Sequence, residues 1–259
     1  MRYIPVILLC LLIGCKAKEA PVSEAAILQI AGYDPEEFSM EELMGKFEPE
    51  RDSSFIELDE IHCSGPGMYL HKEAYAFFQE MFNAAQADGV DLKIISATRN
   101  FYHQKRIWEN KWTGKTIVED GRNLAESVLD TNERALVILK FSSMPGTSRH
   151  HWGTDIDLNS WSNEYFMKGK GLNEYNWLNK NAHRYGFCQP YTALDEDRPY
   201  GYNLEKWHWS YMPRAKKLTW FARKNLRDNM ITGFMGSGTA EKISVVSKYV
   251  LGVNERCIQ

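Results

Sequence analysis

Apolar positions recur along this chain in two rhythms. Over Lys72–Ala87, Tyr75, Phe78, Met81, Phe82 and Ala85 fall on one face of a 3.6-residue period, which predicts an amphipathic helix. Gly89 ends it, and residues 92–96 read as a buried strand. Ala97 to Asn100 is a loop opening a helix over 101–112. A further helix is predicted over 132–141, stopped by Pro145-Gly146, and a short alternating strand over 154–158. A helix over 175–184 ends at Gly186, residues 206–211 are strand-like, and Pro213 starts a helix to about 227. Residues 240–251 read as a last helix. Short strands mixed with helices, without βαβ regularity, predict one α+β domain with a small antiparallel sheet flanked by helices.

The chain has 259 residues, 44% of them hydrophobic and 25% charged, which excludes disorder, collagen and coiled coil. A formal charge of −3 excludes a strongly basic nucleic-acid surface as the default, and the chain is expected to be a monomer. No apolar run reaches the ~18 residues of a membrane-spanning helix.

The N-terminus carries an address. Arg2 precedes an apolar run of about ten residues, the two leading regions of an export signal. It ends in Leu12-Ile13-Gly14-Cys15, which resembles a bacterial lipobox. The expected organisation is a signal over residues 1–14, a lipidated Cys15, a tether with a short acidic helix near 35–47 to residue 54, and a folded domain over 55–259. A lipid anchor would then hold the protein in the cell envelope, with Lys16 resembling outer-membrane sorting. Cys63, Cys188 and Cys257 fit no metal spacing. Export permits one disulfide and one free thiol, with three pairings open; buried thiols without chemistry are equally open.

The chemistry concentrates in two segments, Ser148-Arg149-His150-His151-Trp152-Gly153-Thr154-Asp155-Ile156-Asp157 and Glu205-Lys206-Trp207-His208. Two imidazoles and one carboxylate make a three-ligand zinc site with an open position for water, and a second carboxylate in reach can take that water's proton. His150, His151, His208, Asp155, Asp157 and Glu205 are the candidates. Trp152, Trp207 and Trp209 are expected in the core before they are expected on a substrate.

These segments resemble the zinc D-alanyl-D-alanine carboxypeptidases of the vancomycin-resistance type, with the hedgehog/DD-peptidase fold. Ser148, His150, Gly153 and Asp157 match the family's Ser-x-His-x-x-Gly-x-Ala-x-Asp, and Glu205 and His208 its Glu-x-x-His. Arg99, Tyr102 and Gln104 fit its upstream Arg and Tyr-x-Gln. Asp155, standing at the alanine position, is a departure. The resemblance implies His150, Asp157 and His208 as Zn2+ ligands, Glu205 as general base and later acid, Arg99 as the oxyanion stabiliser, and Ser148 and Gln104 as substrate hydrogen-bonders. It implies hydrolysis of the terminal D-alanyl-D-alanine bond of peptidoglycan stem peptides. The rivals are L,D-carboxypeptidase or endopeptidase specificity, and a non-catalytic zinc-stabilised peptidoglycan-binding lipoprotein in which His151 or Asp155 closes the site as fourth ligand.

Overall fold

The computed structural model describes residues 37–258. The expected signal, Cys15 and the tether as far as residue 36 lie outside the described residues.

Two small antiparallel sheets organise the body. β1 (Phe55–Glu57) pairs with β2 (Tyr69–His71), beyond the turn at Gly65-Pro66-Gly67. The larger sheet contains β3 (Ile94–Ser96), β4 (Asp155–Leu158), β5 (Phe187–Cys188) and β6 (His208–Tyr211), in the order β3-β4-β6-β5. Around it pack α1 (Lys72–Ala87), α2 (Phe101–Trp112), α3 (Thr131–Ile138), α4 (Gly169–Asn181) and α5 (Met212–Asn225).

Successive side chains of a strand point to opposite faces. Ile156, Leu158, Trp209 and Tyr211 therefore face the core, where they join Leu70, Phe78 and Met81. Phe78 and Met81 are fully buried from α1, each contributing on the order of 1.5–3 kcal/mol. The other face presents Asp155, Asp157, His208 and Ser210. The register sets Asp155 opposite Ser210 and Asp157 opposite His208. This face is closed too, because α5 sends Thr219 to Arg149.

Helices α1 and α2 coincide with the expected spans, and their caps explain it. His71 accepts from the Glu73 N–H at the start of α1, and Asn100 from the His103 N–H at the start of α2. Elsewhere the ends move. α4 begins at Gly169, before the expected 175, and Gly171 in its first turn is there for space. A Cβ on Gly171 would lie 2.2 Å from the Tyr165 carbonyl oxygen. The expected helix over 240–251 is broken: Ala240–Ile243 makes one turn, Ser244 takes φ +62°, and Val246–Val250 forms a π turn.

The body also starts before residue 55. Phe38, Leu43 and Met44 are buried. The Leu43 carbonyl accepts from Trp152 Nε1 at 3.1 Å, and the Gly45 carbonyl accepts from the Phe101 N–H at 2.6 Å. Residues 37–54 are thus folded onto the domain, with a short helix at Met40–Leu43, and the tether expected up to 54 ends sooner. Among the described residues no helix is long and apolar enough to cross a membrane.

Of the three cysteine pairings, the fold brings together Cys188 and Cys257, 69 residues apart, and leaves Cys63 buried and free. The bridge ties the C-terminal turn to β5. Closing so long a loop restricts the unfolded chain, so reduction should destabilise the protein by about 2–5 kcal/mol. Urea unfolding with and without reductant measures this; coincident curves would contradict it.

Candidate metal centre and active site

Three backbone devices build the centre. Ser148 caps the short 3₁₀ turn Arg149–Trp152, its Oγ accepting from the His150 N–H at 3.3 Å. Gly153 then takes φ +70°, and a Cβ there would sit 2.3 Å from Phe55. Only glycine fits, and the turn delivers the chain directly into β4. The second device is the loop after β3. The Arg99 N–H donates to the His150 carbonyl at 3.1 Å, and the Arg99 carbonyl accepts from His151 Nδ1 at 2.5 Å. The third is the turn before β6, where the Glu205 N–H donates to the Tyr191 carbonyl at 3.0 Å and the Glu205 carbonyl accepts from Gln189 Nε2 at 2.9 Å.

These devices bring His150, Asp157 and His208 into one buried cluster whose ligand atoms all lie within 4.8 Å of one another. Asp157 Oδ1 is 3.3 Å from His150 Nε2 and 3.2 Å from His208 Nδ1. Glu205 Oε2 lies 3.3 Å from the same His208 Nδ1. All four residues are at most 5% exposed.

The outward nitrogens fix what the inward ones offer. His150 Nδ1 lies 2.8 Å from the Ala97 carbonyl, which only accepts, so that nitrogen carries the hydrogen and Nε2 presents a lone pair. His208 Nε2 lies 2.8 Å from the Asp155 carboxylate, so Nδ1 faces inward. The His150 lone pair then meets Asp157 Oδ1 at 3.3 Å, and neither atom has a hydrogen-bond partner although both are buried. Burial pushes His150 down, with Arg99 adding to it, and this keeps the ring neutral. Burial would also push His208 down, but Asp155, Asp157 and Glu205 overcome it and hold the ring well above its ordinary value. The two-nitrogen, one-oxygen donor set of this cluster fits a divalent metal such as zinc.

Among the described residues no fourth side chain joins the cluster. His151 Nε2 accepts from the Gly146 N–H at 3.1 Å, so both its nitrogens are bonded to backbone. Asp155 lies behind His208, its two oxygens bonded to Thr154, Ser210, Arg149 and His208. Neither residue closes the site as a fourth ligand. The cluster opens instead onto a cavity of about 730 Å³, lined by Arg99, Asp157, Glu205 and His208 at its base. Burial raises the Glu205 carboxyl against the opposing effect of His208, as suits a group that exchanges protons.

Ser148 and Gln104 are placed differently from expectation. Both are 1% exposed and neither lines the cavity. Ser148 is a cap, and Gln104 Nε2 donates to the Ser143 carbonyl at 2.8 Å, pinning the chain just ahead of the motif. Conversely, Trp161 was not singled out from sequence, yet it lines the cavity with a 62% exposed ring. Its Nε1 donates to Asp157 Oδ2 at 3.3 Å, leaving Oδ1 for the cluster.

Residues 67–214 match the family described as VanY, D-alanyl-D-alanine carboxypeptidase. The putative carboxypeptidase YodJ of Bacillus subtilis (strain 168) is 31% identical over 166 residues, covering 63% of this chain and 52% of that protein. A D-alanyl-D-alanine carboxypeptidase of Enterococcus faecalis is 28% identical over 136 residues, covering 52% of this chain and 46% of that protein. The chain thus spans about half the length of these relatives. Among solved structures, VanYB in complex with D-alanine-D-alanine is 23% identical with a TM-score of 0.48, covering 68% of this chain and 86% of that one. The LD-carboxypeptidase LdcB gives 23% and 0.48, covering 79% and 81%.

The burial of His151 generates a pH dependence. Burial lowers this ring from 6.5 to about 3, and burial with Arg214 lowers His71 to about 4. As the pH falls below 6.5 the unfolded chain takes up these protons first, so stability should fall progressively towards pH 3. Gln at 151 can make both backbone bonds without titrating. His151→Gln should therefore flatten the acid limb of urea-unfolding midpoints against pH; an identical limb would contradict this.

Proposed function

Because the chain belongs to the VanY D-alanyl-D-alanine carboxypeptidase family, we propose that it is a zinc metallopeptidase removing the terminal D-alanine from peptidoglycan stem peptides. The observation that carries the reading is the buried three-ligand cluster, open on one side to a cavity, with the Glu205 carboxylate beside it. A purely structural site needs neither the opening nor that carboxylate, so both support hydrolysis over the binding-module alternative.

His150, Asp157 and His208 would hold the ion. When bound, zinc supplies Lewis acidity and lowers the pKa of water from 15.7 towards ~7. Glu205 stands where it can take the proton of the attacking water and return it to the leaving amine. Its buried surroundings ease that cycle, since burial favours the neutral acid. Arg99 lines the same cavity, and its buried Nε has no hydrogen-bond partner. Its guanidinium would bond the scissile carbonyl oxygen as negative charge develops. The ring of Trp161 forms a wall against which a stem peptide would lie. The sequence from Arg2 to Cys15 supports an exported, lipid-anchored protein, which would set this cavity beside its polymer.

Incubation with a pentapeptide stem, followed by mass spectrometry, tests the reading: loss of one alanine, abolished by a chelator and restored by zinc, is expected. Loss instead from a tetrapeptide or a crosslinked stem would move the assignment to L,D-carboxypeptidase or endopeptidase. Glu205→Gln should keep bound zinc and lower kcat by about 10²–10⁴. An unchanged rate would remove Glu205 from the mechanism. His208→Ala should lose the metal, and full metal content by atomic absorption would refute its ligand role.

A further inference from the structure

Where the family motif has alanine, this chain has a fully buried aspartate with every lone pair engaged. Asp155 Oδ1 accepts from Thr154 Oγ1 at 2.7 Å and Ser210 Oγ at 2.6 Å. Oδ2 accepts from Arg149 Nε at 3.0 Å and His208 Nε2 at 2.8 Å. Arg149, itself 1% exposed, is fixed in turn by Thr219 Oγ1 at 3.0 Å, Ser210 Oγ at 2.6 Å and the face of Trp152 at 4.6 Å. A buried carboxylate and a buried guanidinium are costly to keep unless each is paired and hydrogen-bonded. Here both are, and the carboxylate reaches one further group, the outer nitrogen of a cluster histidine.

The two cluster histidines are therefore backed unequally. His150 rests on a neutral carbonyl, His208 on an ion-paired carboxylate. A methyl group at position 155 would leave His208 Nε2 without this acceptor. We infer that Asp155 is a positioning residue for the metal, holding His208 in the tautomer that presents Nδ1 and strengthening it as an electron donor. The inference rests on the metal reading above. Arg149 supplies the countercharge that lets a carboxylate stay buried there without itself joining the ion. The two networks thereby divide the acidic residues of β4: Asp157 towards the metal, Asp155 towards the histidine behind it.

Asp155→Asn tests this, since an amide fits the same bonds. Its oxygen can accept from His208 and Arg149, and its nitrogen can donate to the Thr154 and Ser210 oxygens after those hydroxyls rotate. Zinc affinity of the purified protein, read by competition with a chromophoric chelator, should fall roughly 10–100-fold, and the absorption bands of the cobalt-loaded protein should shift. Thr219→Val, which loosens Arg149 without touching the carboxylate–imidazole bond, should lower the Tm and leave zinc affinity as it is. Imidazole ¹⁵N–¹H spectra of the zinc-loaded wild type should show His208 protonated at Nε2 and metal-bound at Nδ1, a measurement independent of any variant's folding. An Asp155→Asn protein with wild-type affinity and spectrum overturns the inference. So does an equal loss in Thr219→Val, or metal at His208 Nε2. A wild-type protein that takes up no zinc overturns the metal reading itself, and this inference with it.

Discussion

The register between β4 and β6 sets Asp157 opposite His208 and Asp155 opposite Ser210, and the rest of the centre is arranged around that pairing. A slip of β4 by one residue would turn both acids towards the core and Ile156 and Leu158 to the opposite face. Burial on both faces makes such a slip costly. Leu158 and Tyr211 are held among Phe78 and Met81 on one side, while Asp155 is held by Arg149 on the other. The hydrophobic core thus does more than stabilise the sheet: it specifies which residues meet at the metal cluster.

Around that pairing, backbone bonds do most of the positioning. The loop after β3 and the 3₁₀ turn before β4 are joined through His150, His151 and the Arg99 peptide, so the cluster and the proposed oxyanion arginine form one rigid unit. Glu205 is set from the opposite side, by Gln189 and Tyr191 just after β5. The disulfide from Cys188 fixes that same stretch to the C-terminal turn. Helix α2 contributes at a distance, because Gln104 pins the segment leading into the motif. Ser148 and Gln104, both buried and outside the cavity lining, hold the backbone on which the site is built.

Much of the plan was legible in sequence. Helices α1 and α2 are long, periodic and capped, and local preference is enough to mark them. Ser148, His150, Gly153, Asp157, Glu205 and His208 stand out because their order and spacing resemble a family motif. The start of α4 and the break at Ser244 were not legible, since Gly171 and Ser244 adopt their places for reasons of contact and backbone geometry that no local period records. Trp161 was missed because one exposed tryptophan carries no pattern until its indole is seen on Asp157.

The sequence by itself determined the alternation that puts Asp155 and Asp157 on one face of a strand, the glycine that lets the chain turn into that strand, and the chemistry of the donors. Those properties are local: they depend on strand periodicity, on a positive φ and on which atoms carry lone pairs. Which cysteines pair, which histidine binds backbone instead of the cluster, and which aspartate stands behind His208 were decided only by tertiary structure. His150 and His151 are adjacent in sequence and identical in chemistry. They differ because one ring meets the Ala97 carbonyl with its far nitrogen free, while the other is bonded at both nitrogens by Arg99 and Gly146.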